Sequence, residues 1–470
     1  MSLLSLRNPL LVIDSYKASH YLQYPPDADG LFAYVEARGG SGEHDRTVFF
    51  GLQALLGEYL STPITDAMID EAGALLTAHG EPFNEAGWRK VVREHAGHLP
   101  LTIRAVPEGS VVPVRNALVT VECTDPDLYW LVTYIETWLL RLWYPVTVAT
   151  RSWHLRGLIA RYLAETADDA SGLPFKLHDF GARGVSSGES AALGGLGHLV
   201  NFQGTDTVEA LLAARYYYDT PMAGFSIPAA EHSTMTAWGR ENEEAAYRHM
   251  LQRFGQPGGI FACVSDSYDL WHALALWGGP LREAVKASGA TLVIRPDSGD
   301  PVEVVGHACR VLADHFGTTV NRRGYHVLNT VRLIQGDGIS PASIEAILAR
   351  LKADGFSADN IAFGMGGGLL QQLNRDTAGF AMKCSAVRRQ ERWHDIYKSP
   401  VTDPGKASRK GRLTTLHKGG AWQTVRLEEA AALQAEGWQE ALRPVYVHGR
   451  LCVRDTLEVI RARAAAAHGA

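Results

Sequence analysis

Five cysteines are spread over 470 residues, Cys123, Cys263, Cys309, Cys384 and Cys452, and no two stand in a CxxC spacing. That scarcity excludes a disulfide framework and a cysteine-built zinc site, and it fits a reducing, cytoplasmic compartment. A basic excess is also missing. The formal net charge is -6, so a general nucleic-acid-binding face is not expected. The first residues, "MSLLSLRNPLLVIDSYK", have an early arginine but no long apolar core and no small-residue cleavage site, which argues against a secretory signal. The most apolar segment, "DPDLYWLVTYIETWLLRLWYP" at 125–145, is interrupted by Glu136 and Arg141. It is expected as a buried or interface helix, begun by Asp125 and Pro126 and stopped by Pro145, rather than as a membrane span.

What remains is an ordinary globular composition, 46% hydrophobic and 20% charged, in a chain long enough for a large domain plus a smaller one. Residues 1–145 read as a mixed α/β domain, in which "LTIRAVPEGSVVPVRNALVTVECT" suggests antiparallel strands. From 146 to 384 the rhythm changes. Short apolar runs end in polar or glycine-rich corners ("HDFGAR", "QGTDT", "SIPAAEH", "VSDSYD", "IRPDSGD", "IQGDG", "FGMGGG"), and helical segments follow most of them. Repeated strand–corner–helix units imply a parallel sheet, either an α/β barrel or an open doubly wound sheet. The number of units favours the barrel. Residues 385–470 break into short strands and turns and are expected to pack back on the N-terminal domain.

Both architectures place ligand-binding loops at the carboxyl ends of the strands, where these corners fall. "GMGGG" and "IQGDG" suit backbone N–H donation to a phosphate at a helix start, although tight turns would look the same. Neither is a Walker A or GxGxxG pattern. Arg295 and Asp297, two apart in "IRPDSGDP", point to one side of a strand end, where an arginine can hold phosphate and an aspartate can accept from sugar hydroxyls. An internal salt bridge is an equal reading. With Asp266 and Asp206 they form a rim suited to a phosphorylated sugar carrying Mg²⁺. Taken alone, His232 reads more readily as a structural hydrogen-bonding group than as a catalyst, and the basic loop "KSPVTDPGKASRKGR" more readily as a solvated loop than as a closure over a polyanion.

Together these corners resemble those of the nicotinamide phosphoribosyltransferase family. The likeness runs in order over nearly the whole chain, from "DSYKASHYLQYPP" through "HDFGARGVSS", "LVNFQGTDTV", "PAAEHST", "VSDSYD", "IRPDSGDP", "IQGDG" and "FGMGGGLLQQLNRD" to "KSPVTDPGK". The resemblance implies an irregular α/β barrel of the type II phosphoribosyltransferase kind with a smaller β-rich α+β domain built from the terminal segments. It also implies a homodimer with sites at the interface, and nicotinamide, 5-phosphoribosyl 1-diphosphate and ATP as partners. Mg²⁺ would be bound mainly through substrate diphosphate, with no dedicated protein metal site. By the same resemblance, Phe180 and the partner subunit's Tyr16 would sandwich nicotinamide, and Asp206 would accept from its carboxamide. Arg183 and Arg295 would bind phosphate, with Gly336 and Gly367 donating backbone N–H groups. Asp297 and Asp337 would lie near the ribose, with Asp266 on the same rim. His232 would be the histidine that ATP phosphorylates, with Arg38, Arg375, Lys383, Lys398 and Lys406 in the diphosphate and ATP-phosphate region. Ala182 and Gly188 depart from the tyrosine and glutamine of vertebrate members. Nicotinate as the base, or a non-catalytic binding protein on the same scaffold, are the alternatives.

Overall fold

Six short strands lie side by side in one parallel sheet in the structure, a computed structural model that describes residues 8–39, 44–402 and 407–468. In chain order they are Leu177–Asp179, Gly204–Thr205, Ile260–Val264, Thr291–Arg295, Val331–Gln335 and Ile361–Met365. The last pairs in parallel with the first, with Phe363 opposite Leu177. The edges left over, at Thr205 and Val264, are both reached by the segment 225–230. Gly204 bridges Phe225 and Ala229 bridges Ala262, again in parallel. The sheet therefore curls into an irregular barrel whose staves follow the order of the chain.

The sequence reasons are plain. Leu292, Val293 and Ile294 form an unbroken buried run, as a strand covered on both faces requires. Helices follow the strands with legible start and stop signals. Ser340 makes a capping box ahead of Pro341–Ala353, Asp300 caps Pro301–Phe316 and Asp269 caps Leu270–Gly278. Inside the ring, Ala262, Val293 and Ile334 pack with Ile227, Ala362 and the ring of Phe180. Two of these positions are alanine, which leaves volume for that ring.

The chain divides into two compact units, and the barrel belongs to the one made of Arg151–Leu211 and Met222–Gln372. The other comprises Met1–Thr150, Leu212–Pro221 and Leu373–Ala470. It is built on a seven-stranded antiparallel sheet whose inner strand Ala28–Ala37 pairs with Ala117–Cys123 on one side and Phe380–Arg389 on the other. Leu101–Ala105 then pairs with Ala117–Cys123 and with Arg443–Val447. Within this unit Arg443–Val447 of the C-terminal segment runs beside Leu101–Ala105 of the N-terminal one. Phe380–Arg389, grouped on sequence with the barrel up to residue 384, lies in this sheet.

The apolar segment 125–145 differs from expectation. Asp125 does accept from Asp127 N–H, but the helix breaks into Pro126–Leu128, Leu131–Tyr134 and Glu136–Leu140. Pro145 lies in the first turn of the long helix Trp143–Thr166, where no backbone donor is needed. It opens a helix instead of closing one. Among the described residues no helix is long and apolar enough to cross a membrane.

Candidate functional site

Every barrel corner singled out on sequence follows the carboxyl end of a stave. Phe180 comes directly after the Asp179 strand, and its N–H donates to Met365 O across the seam at 3.1 Å. Gly181 N–H then turns back to Asp179 Oδ1 at 2.7 Å. A Cβ placed on Gly364 would lie 1.9 Å from Phe180 Cε2, and one on Gly336 3.5 Å from it. The ring thus rests on bare backbone at Gly364 and reaches the Gly336 corner, and it stays half-buried. The turn Ala182–Gly184 presents Arg183 to solvent, and a Cβ placed on Gly184 would lie 3.8 Å from Gly367.

Asp206 continues the next stave, its N–H bonded to Asp179 O at 2.9 Å. Its exposed carboxylate accepts from Ser226 Oγ at 2.6 Å, so the stave that closes the barrel also orients this acid. The same stave leads to His232, whose ring is 45% exposed. Its Nδ1 lies 3.1 Å from Ser267 Oγ and its Nε2 lies 3.3 Å from Asp297 Oδ2 and 3.8 Å from Asp266 Oδ1. Asp266, only 4% exposed, uses its other oxygen to hold the next corner, accepting from Asp297 N–H at 3.0 Å and Ser298 Oγ at 2.6 Å. Arg295 Nη2 stands 3.7 Å from Asp297 Oδ2, so the internal pair that competed on sequence is present as a loose contact. Asp266 Oδ1, Arg295 Nε and Gln335 Oε1 are buried without a hydrogen-bond partner. Buried polar atoms are rarely left so unless something else fills the place.

The glycine corners need one correction. The helix opened by "GMGGG" is the single turn Gly367–Leu370, too short for a useful dipole. Any anion there would be held by N–H groups alone. Asp337 is exposed beside Gly336, and Gln335 Nε2 donates to its carbonyl at 2.9 Å. No group of three or more His, Cys, Asp or Glu side chains forms a metal cage among the described residues.

The remaining candidates lie in the β-rich unit. Tyr16 is 53% exposed on the 3-10 helix Ser15–Leu22. Lys383 is half-buried, and its pKa is lowered first by burial and then, against the raising effect of Glu136, by the nearby charges of Arg38, Lys398 and Arg375. Cations that lower one another's pKa in this way set up a positive field. Lys406 lies outside the described residues. Sequence reasoning missed Asp179, Ser226, Ser267 and the specific need for Gly364. Only the last left a trace, as one glycine among several.

Comparisons with known proteins agree with this picture. The family model described as the nicotinate phosphoribosyltransferase (NAPRTase) family matches residues 175–449, and the model of the nicotinamide phosphoribosyltransferase N-terminal domain matches residues 8–103. A nicotinamide phosphoribosyltransferase of Xanthomonas campestris pv. campestris is 58% identical over 98% of this chain and 99% of its own. One from Acinetobacter baylyi is 35% identical over 97% of each chain. In fold, the chain is similar to the crystal structures of nicotinate-nucleotide pyrophosphorylase from Pyrococcus furiosus and of human nicotinic acid phosphoribosyltransferase. The first gives a TM-score of 0.62 at 14% identity, covering 98% of this chain and 96% of that one. The second gives 0.58 at 20% identity, covering 97% and 93%. The fold and the ring of polar corners define a phosphoribosyltransferase barrel, and the chain belongs to the nicotinamide phosphoribosyltransferase family.

Proposed function

We propose that this enzyme transfers the phosphoribosyl group of 5-phosphoribosyl 1-diphosphate to nicotinamide, giving nicotinamide mononucleotide and diphosphate for NAD biosynthesis. The observation that carries the reading is whole-length similarity, at 58% identity, to a protein named for that activity. The geometry supports it. Phe180 is a ring platform, Asp206 an acceptor aimed by Ser226, and Arg183, Arg295, Gly336 and Gly367 are donors on neighbouring corners for phosphate. The ring nitrogen attacks C1 as diphosphate leaves, and the protein contributes alignment and stabilisation of the departing charge. Asp297 and Asp337 take the ribose side.

The finer parts belong to the same proposal. The active unit is a homodimer in which the partner subunit's Tyr16 supplies the second ring. Arg38, Arg375, Lys383, Lys398 and Lys406 bind diphosphate and ATP phosphates. ATP gives its γ-phosphoryl group to His232, releasing ADP, and water later discharges the phosphohistidine as phosphate. The ring's exposure and its Ser267 and Asp297 contacts suit such a role. Mg²⁺ would fit without a protein cage: diphosphate oxygens would supply most of its ligands, and Asp266, whose Oδ1 has no hydrogen bond, with Asp297 would hold it from the protein side. When bound, it would neutralise charge on the diphosphate.

Product analysis with nicotinamide and nicotinate in competition, with and without ATP, tests the whole reading. A carboxylate at Asp206 accepts from the amide and repels the acid, so we expect a preference for nicotinamide of roughly tenfold or more, solvent screening included. Asp206→Asn should weaken it. His232→Ala should keep basal synthesis and lose both ATP hydrolysis and ATP stimulation. Preferential use of nicotinate by the wild type would overturn the base assignment.

A further inference from the structure

Asp179 is wholly buried at the end of its stave, directly beneath the two corners assigned to the base. Its main-chain oxygen accepts from Asp206 N–H at 2.9 Å, and its Oδ1 accepts from Gly181 N–H at 2.7 Å, which shapes the Phe180–Arg183 turn. Oδ2 has no hydrogen-bond partner, and neither has Thr207 Oγ1, also buried. The two belong together. The Thr207 hydroxyl lies near enough to favour the carboxylate, and a Cβ on Gly195 would stand 3.2 Å from both Asp179 Oδ2 and Thr207 Cγ2. That glycine sits inside the helix Gly188–Leu199, where glycine is unfavourable relative to alanine. A Cβ there would also come within 2.6 Å of Ala210 Cβ. The helix gives up a side chain where the carboxylate needs room.

We infer that Asp179 is a positioning residue for the base, tying the corner that carries the stacking ring to the corner that carries the carboxamide acceptor. The inference rests on the proposed base-binding reading. The side chain reaches the first corner through Gly181 and the second through Thr207, so its loss changes the spacing between Phe180 and Asp206. Arg183 shares the first turn and is loosened with it, while the phosphate-side corners at Arg295 and Gly336 keep their places. Burial pushes the carboxyl up to about 6, against the Gly181 N–H and the Thr207 hydroxyl; the neighbouring carboxylates of Asp206 and Glu209 push the same way as burial. Below that pH the side chain gains a proton and no longer accepts at both oxygens.

The test is steady-state kinetics of the full chain from roughly pH 5 to 8.5, with KM measured separately for base and for 5-phosphoribosyl 1-diphosphate. In the wild type the KM for nicotinamide should rise about fivefold or more below about pH 6, while the KM of the phosphosugar, held also at Arg295 and Gly336, rises distinctly less. Asp179→Asn, which like the protonated acid keeps one acceptor oxygen, should show that raised base KM already at neutral pH and lose the acid rise. Asp179→Ala should raise the base KM about tenfold with a distinctly smaller rise in the phosphosugar KM, which reports Arg183 on the shared turn. If it does not fold, Thr207→Val should show the same selective effect at smaller size. Equal effects on both KM values, or an acid rise that persists in Asp179→Asn, would overturn the inference. Turnover of nicotinate alone would overturn the functional reading instead, and the same KM comparison run with nicotinate would still decide the role of Asp179.

Discussion

At the end of the barrel where the strands begin, Lys176 is enclosed and donates to the carbonyls of Ala358, Asp359 and Ile361 at 3.1, 3.0 and 3.0 Å. Burial pushes its pKa down to about 8, and those carbonyls hold the ammonium against that push. Asn360 beside it bonds to Leu328 N–H, His326 O and Ser357 O. At the opposite end, Asp266 Oδ1, Arg295 Nε and Gln335 Oε1 are buried without a hydrogen-bond partner. The same barrel thus spends its polar groups on cohesion at one end and leaves them unsatisfied at the other. The second end is held in readiness for a ligand, at a cost in stability that the first end offsets.

Three substitutions would break or sharpen this contrast. Gly364→Ala at the open end should give the largest effect. Its Cβ cannot coexist with the Phe180 ring as placed, so the ring swings away. We expect kcat/KM to fall at least about a hundredfold, ~3 kcal/mol, with thermal stability nearly unchanged because a ring edge can move. A comparable fall in Tm would mean that the corner is structural. Lys176→Met at the closed end should do the reverse. It leaves three buried carbonyls short of a donor, a cost of about 2–3 kcal/mol that scanning calorimetry would read as roughly 5–10 °C, with both KM values unchanged.

Asp179→Asn should give the smallest shift, and an upward one. The folded carboxyl titrates near 6, above its ordinary 3.8. Between those values the native state binds more protons than the unfolded one. The wild type therefore loses stability as pH rises through that window, and the loss is complete at neutral pH. A neutral amide avoids it, so the variant should be more stable than the wild type by about 1–2 kcal/mol at neutral pH and equal to it near the ordinary carboxyl pKa. Parallel melting curves at all pH values would refute this.

What the sequence made legible was the chemistry of the corners. Arg295 with Asp297, or Ser340 ahead of Pro341, are local patterns whose meaning does not depend on distant chain. Asp179 was illegible because its significance comes from Thr207 and Gly195, brought to it by the fold. Gly364 was visible as one glycine in a run, but the ring that makes it indispensable lies on the first stave of the barrel. Pro145 misled for another reason: a proline marks a helix boundary without saying on which side the helix lies. The helix after "GMGGG" stops after one turn, and the spacing of its apolar residues gave no warning of that.

An inner strand of the β-rich unit carries a consequence for synthesis. Residues 30–37 of Ala28–Ala37 are all buried in the finished sheet, and one of the strand's edges waits for Phe380–Arg389. At roughly 5–20 residues per second, the ribosome needs on the order of 20–70 s to deliver that partner after the first strand has emerged. For that time a long apolar strand has one row of backbone donors and acceptors open to any passing chain. Newly made protein should therefore be most dependent on chaperones before residue 380 appears, and chains released short of that point should aggregate even though most of their barrel has already been made.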